Sequence, residues 1–132
     1  VSRNSFYRNY RSIEDILRQH LIEQTERWWA EYMAHPHPEV IREIFQHFLD
    51  LREVIRLLYS ADLAYLLMEH IFLCGKQSLT GEVGNAYQTA FLSGGLWGLT
   101  NQWVLRGMRE TPQEMQALFL SQGRRESGTE GQ

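Results

Sequence analysis

Residues 40–59 read VIREIFQHFLDLREVIRLLY. Val40, Ile41, Ile44, Phe45 and Phe48 recur at steps of three and four, which places them along one side of a helix. Arg42, Glu43, Gln46 and Asp50 fall on the other side. The stripe loses step around residues 50–52, and Val54, Ile55, Leu57 and Leu58 start a new one. The spacing predicts a helix over residues 38–50 and a short second helix to residue 59.

The same period runs outward in both directions. Ser12 opens a helix with a partial capping box, because Asp15 stands at the third position where Glu is usual. Ile13, Ile16, Leu17, Leu21, Trp28 and Met33 carry that helix to residue 34, and His35-Pro36-His37-Pro38 stops it. Downstream, Ser60, Ala61 and Asp62 are expected to cap a helix bearing Leu63, Leu66, Leu67, Ile71 and Phe72, with Gly75 as its stop. A polar loop over 75–84 follows. A long helix is expected over 83–106, ended by Gly107. Thr111-Pro112-Gln113-Glu114 then has a cap, a proline at the first helical position and a returning Glu, which opens a last helix ending near Ser121. No stretch alternates like a strand. The expected fold class is all-α, a helical bundle. Residues 1–9 read as a short helix, and residues 122–132 as a flexible tail with little to bury.

Composition narrows the function. The chain has 132 residues, 43% hydrophobic and 22% charged, which fits one folded domain and excludes disorder for its body. Its apolar runs are too short to span a bilayer. Nothing reads as a secretion signal, so a cytoplasmic location is expected. The single cysteine, Cys74, excludes an internal disulfide and a Cys-based zinc site. The net charge is −3, yet residues 1–18 carry four arginines against two acids, a basic head on an acidic body. The five histidines lack metal-ligand spacing, so no metal is expected; His47 or His70 reads better as a hydrogen-bonding pocket residue. No nucleophile elbow or phosphate loop occurs, so no catalysis and no cofactor are expected.

Gly94, Gly95 and Gly98 sit in the middle of the long helix, where each costs about 1 kcal/mol relative to Ala. Close approach of another backbone, within the fold or across a dimer, accounts for three of them. A kink, or a slot for a bulky neighbour such as Trp28, is the other reading.

Two stretches carry a family resemblance. Residues 1–17, VSRNSFYRNYRSIEDIL, resemble the end of the DNA-binding domain of TetR-family transcriptional regulators. Residues 91–99, FLSGGLWGL, then Gln102-Trp103-Val104, Gly107-Met108 and Glu110–Met115, resemble the last two helices of one subgroup of that family, the dihydroxyacetone-kinase activator type. The middle of the chain, about residues 34–85, fits by helix count and length alone. The resemblance implies a homodimer in which a helix-turn-helix reads operator DNA and a larger helical body binds a small hydrophobic or amphipathic effector.

Carried over residue by residue, the resemblance implies three sets. Arg3, Asn4 and Ser5 face base edges, with Tyr7 and Arg8 beside phosphates. The effector pocket draws on Trp28, Phe45, Phe48, Tyr65, Met68, Phe72, Tyr87 and Trp97. The dimer interface draws on Phe91, Gly94, Gly95, Gly98, Gln102, Met115, Leu118 and Phe119. The implied domains are a helix-turn-helix remnant at 1–11, an effector-binding and dimerisation domain at 12–121, and the tail. Two departures stand out. The first two helices of the DNA-binding domain are missing, so the chain is expected to be a fragment that does not bind operator specifically alone. Ile13 replaces the lysine that usually reaches a phosphate, which lowers the salt slope of DNA binding by about 1. A helical interaction module with no effector is the alternative reading.

Overall fold

A computed structural model describes residues 12–78 and 86–130. These form six helices and no strand: α1 (Ile13–Ala34), α2 (Val40–Asp50), α3 (Arg52–Ser60), α4 (Ala64–Ser78), α5 (Ala86–Leu105) and α6 (Pro112–Glu130). The expected all-α class is what the structure has. The short helix expected at residues 1–9 and the DNA-facing residues Arg3, Asn4, Ser5, Tyr7 and Arg8 lie outside the described residues, as does most of the 75–84 loop.

Local chemistry sets most ends. The Ser12 side chain accepts from the Asp15 amide at 3.4 Å and starts α1. Asp15 itself turns to Arg18, 3.0 Å away. α2 and α3 are nearly continuous: the Leu51 amide bonds to the His47 carbonyl and the Leu51 carbonyl accepts from Ile55, so Leu51 closes one helix and opens the next. At α6 the capping box is complete. The Glu114 amide donates to Thr111 Oγ1 at 3.1 Å, and Glu114 Oε1 accepts from the Thr111 amide at 3.0 Å.

Three expected boundaries are corrected. Ser60-Ala61-Asp62 does not cap α4. Ser60 ends α3, and Asp62 takes a left-handed φ of 60° beyond it. The Asp62 amide then bonds back to Tyr59 and the Leu63 amide to Leu58, a Schellman closure. Gly75 does not stop α4, which runs on to Ser78. A glycine ends a helix when the chain needs a left-handed residue there, and Lys76 and Gln77 are good helix formers that continue it. α6 does not end near Ser121 but continues to Glu130. Its last third lacks an apolar stripe, the signal that marks helices in sequence, yet it contains no proline to break the backbone ladder. Gly107 does end its helix as expected, at φ 90°, with the same paired closure to Val104 and Trp103.

α4 packs on α1, α3 and α5, while α2 packs on α3 and α6. The core lies between them. Ile44, Phe45, Phe48, Ile55, Leu58, Leu67, Ile71 and Leu96 are fully buried. Phe45 meets Phe48 and Trp103 edge-to-face, with centroids 6.4 and 5.5 Å apart. The Trp103 indole N–H donates to the Glu110 carbonyl at 3.1 Å. The Glu39 side chain does not cap the start of α2; instead the side chain of Gln116 on α6 accepts the Arg42 amide at 2.8 Å.

Candidate functional site

α1 is the helix that touches the most unusual chemistry. Midway along it Thr25 is buried, and its hydroxyl donates to the Leu21 carbonyl at 2.8 Å. The one hydroxyl hydrogen is then used, so Thr25 Oγ1 accepts from His70, a ring nitrogen of which lies 2.7 Å away. His70 sits on α4 and is 3% exposed. Its ring lies 5.8 Å from that of His47 on α2, which is 6% exposed and stacks on Trp28 at 5.2 Å. Two imidazoles are therefore shut between three helices. Burial lowers His47 from 6.5 to about 4, against a small opposing pull from Asp50. Burial and the neighbouring His47 lower His70 to about 3. Both rings are neutral at pH 7. Cys74, one turn after His70, is buried and its thiol is pushed up to about 12, so it is an inert filler rather than a nucleophile.

Space opens on two sides of this cluster. A cavity of about 130 Å³ lies between α1 and α4, bordered by Arg18, Leu21, Leu66, Glu69 and His70. A larger one of about 340 Å³ lies between the end of α1 and α2, bordered by Trp28, Tyr32, Glu43, His47 and Asp50 among others. His47 Nε2 has no hydrogen-bond partner. Beyond the smaller cavity a polar bracket ties α1 to α4. Arg18 reaches Asp15 on its own helix and Glu69 on α4, each at 3.0 Å, and the Tyr65 hydroxyl bonds Glu14.

The second feature is the outer face of α5 and α6. Ser93, Leu96, Thr100 and Trp103 form the buried side of α5. The glycines lie off that side. A Cβ added at Gly94 or Gly98 would meet nothing within 4 Å, and one at Gly95 would only touch Phe119 at 4.0 Å. Among the described residues no neighbour needs these glycines, and Trp28 does not fill a slot beside them. Phe91, Leu92, Gly95, Gly98, Leu99, Phe119 and Leu120 border an open apolar groove of about 580 Å³. Phe91 is 73% exposed.

The structure places the residues expected to line a pocket in different settings. Phe45 and Phe48 fill the core completely. Tyr65 and Phe72 are exposed on α4, and Tyr87 is exposed at the start of α5. Met68 and Trp97 are half-buried. Of the eight, Trp28 borders the larger cavity. The expected interface residues divide as well: Phe91, Gly95, Gly98 and Phe119 share the groove, Leu118 and Gln102 are exposed, and Gly94 is half-exposed. Met115 is the correction, since it is 2% exposed and packs inward. The Trp28 and Trp29 rings both lie near Tyr32, with centroids 5.5 and 5.9 Å away. Sequence reasoning missed Thr25, Arg18 and Gln116, whose partners are 45, 51 and 74 residues distant.

Among the described residues no helix is long and apolar enough to cross a membrane. The TetR-type family described as "Transcriptional regulator C-terminal region" matches residues 37–121, well over half of the chain. The chain belongs to this family of transcription regulators. No curated protein and no solved structure matches it.

Proposed function

We propose that the chain is the dimerising and effector-responsive part of a TetR-type regulator, of the dihydroxyacetone-kinase activator subgroup. The observation that carries this reading is the α5–α6 face, apolar and exposed, with glycines that nothing among the described residues requires. Two copies pairing through that face bury Phe91, Leu118 and Phe119, and the glycines let the two α5 helices approach. In this reading Arg3, Asn4 and Ser5 contact base edges and Tyr7 and Arg8 phosphates. A small molecule held among the helices shifts α1, which leads directly into residues 1–11. The distance between the two DNA-reading segments changes with it, and half-sites one turn apart demand about 34–36 Å. A coupling of about 1–3 kcal/mol suffices for such control. The protein acts inside the cytoplasm and without catalysis.

Sedimentation equilibrium tests this directly. The expected result is a dimer that Phe91→Glu converts to monomer with unchanged helicity. A wild-type chain that stays monomeric at all concentrations removes the interface. A second reading, an interaction module with no effector, is favoured by the complete filling of the core by Phe45 and Phe48. Tryptophan fluorescence titrated with pools of hydrophobic compounds separates the two: saturable quenching supports the effector reading, and silence across the pools supports the module.

A further inference from the structure

Both buried imidazoles are covered from the same helix. Trp28 of α1 stacks on His47 at 5.2 Å, and Thr25 of α1 lies 2.7 Å from a ring nitrogen of His70. α1 is 22 residues long yet buries only Leu21 and Thr25, whereas the 11 residues of α2 bury five side chains. The fully enclosed core of Phe45, Phe48, Ile55, Leu67, Ile71 and Leu96 belongs to the other helices. Lifting α1 therefore opens the two rings to water and leaves that core closed.

The surroundings suit two neutral rings and no charged one. His47 Nε2 is enclosed and has no hydrogen-bond partner, so on the doubly protonated ring it is a donor with nothing to receive its proton. His70 has one close acceptor, Thr25 Oγ1, and beyond it the Cys74 sulfur at 4.0 Å, a weak one. The ring centroids are 5.8 Å apart, so two imidazolium charges repel at short range. The charged groups nearby do not offset this. Asp50, on the same helix as His47, pulls the other way but less than burial does. Glu43 is paired with Arg42, and Glu31, His35 and His37 border the space beside His47 together with it. Arg18 and Glu69, which border the smaller cavity with His70, are paired with each other. Among the described residues the buried side chains of α3, α5 and α6 carry no charge.

We propose that α1 is held by a proton switch: neutral His47 and His70 seat it on α2 and α4, and protonating them releases it while the rest of the fold stays closed. Burial pushes His47 down to about 4 and His70 to about 3, so the release sets in as pH falls below the 6.5 of a free histidine. The release stands apart from the regulator reading. Only its consequence, a loosened lead into residues 1–11, rests on that reading.

Amide hydrogen exchange of the full chain at pH 7 and pH 5 tests it, each rate being compared with that of an unstructured peptide at the same pH to give a protection factor. Protection in α1 is expected to be lower than in α2 and α5 at both values, and to fall by at least about tenfold between them. His47→Gln is expected to shrink that fall by at least roughly threefold, with far-UV helicity unchanged at pH 7. Glu69→Gln, which changes the exposed partner of Arg18, is expected to keep the fall, because both imidazoles remain in place. Protection in α1 equal to that in α2 and α5, or the same at pH 7 and pH 5, overturns the proposal. So does a full-sized fall in His47→Gln, or its loss in Glu69→Gln. If His47→Gln does not fold, the wild-type profiles and Glu69→Gln decide. The expected profile in a chain that stays monomeric supports the switch and removes the dimeric regulator alone.

Discussion

His47 and His70 make the protein's stability depend on pH in a direction fixed by their burial. Each is held neutral in the fold, at about 4 and about 3, while an unfolded chain protonates histidine near 6.5. The unfolded state therefore binds more protons as pH falls below 6.5, and stability is lost from there down to the folded values. For His47 alone the loss is about 3 kcal/mol by pH 4. Urea unfolding at steps between pH 7 and 4 is expected to show this fall, with a shallower one in His47→Gln. A pH-independent midpoint over that range contradicts the burial. Packing gives a second contrast at the same scale. Phe48→Ala is expected to cost about 3–5 kcal/mol, because the ring is wholly enclosed and edge-on to Phe45. Tyr87→Ala, at 88% exposure, is expected to move the monomer's stability by less than about 0.5 kcal/mol. Thermal melts of both variants below the dimer concentration check the pair.

Between helices, the ends decide how well each element is defined. Asp62 holds a left-handed conformation that glycine takes at no steric cost, while Gly107 already has the residue its closure wants. Asp62→Gly is expected to stabilise the fold by about 0.5–1 kcal/mol and Gly107→Ala to destabilise it by about 1 kcal/mol, read from chemical denaturation. Opposite signs at two equivalent closures are the result to look for. Those closures also show what sequence can and cannot reveal. Gly107 and the Thr111–Glu114 box announced themselves, because their chemistry lies within four residues. Asp62 misled, since an acidic residue before an apolar run reads as a start when it is here an end. The cap on α2 had no local signal at all: Gln116 supplies it from α6.

At the scale of the molecule, pairing and folding are expected to be linked. If two copies meet through α5 and α6, the midpoint of thermal unfolding rises with protein concentration, and Phe91→Glu abolishes the rise. Scanning calorimetry over a hundredfold range of concentration reads it. The helices over residues 12–78 and 86–121 and their order were legible in the sequence, because each follows from a period or a breaker, whereas the side to which the glycines face was left open. The cavity was not. Phe45 and Phe48 sit on the same stripe as His47, and periodicity cannot say which member of a buried face is filled in and which borders a void. Polarity does better: His47 stood out among apolar neighbours, and it is the residue at the cavity. The Thr25–His70 bond gives α1 a further property. The helix is held at three places, by Arg18 and Glu14 near its start, by Trp28 against His47 near its end, and by Thr25 between them. The middle hold is the most buried of the three, so in the effector-responsive reading it is the fulcrum. From Thr25 the arm to Ala34 is about 14 Å and the arm to Ile13 about 18 Å. A rigid rod so mounted turns a push at its far end into an opposite and slightly larger swing at the near end, where the salt bridge to α4 is the latch that must slip.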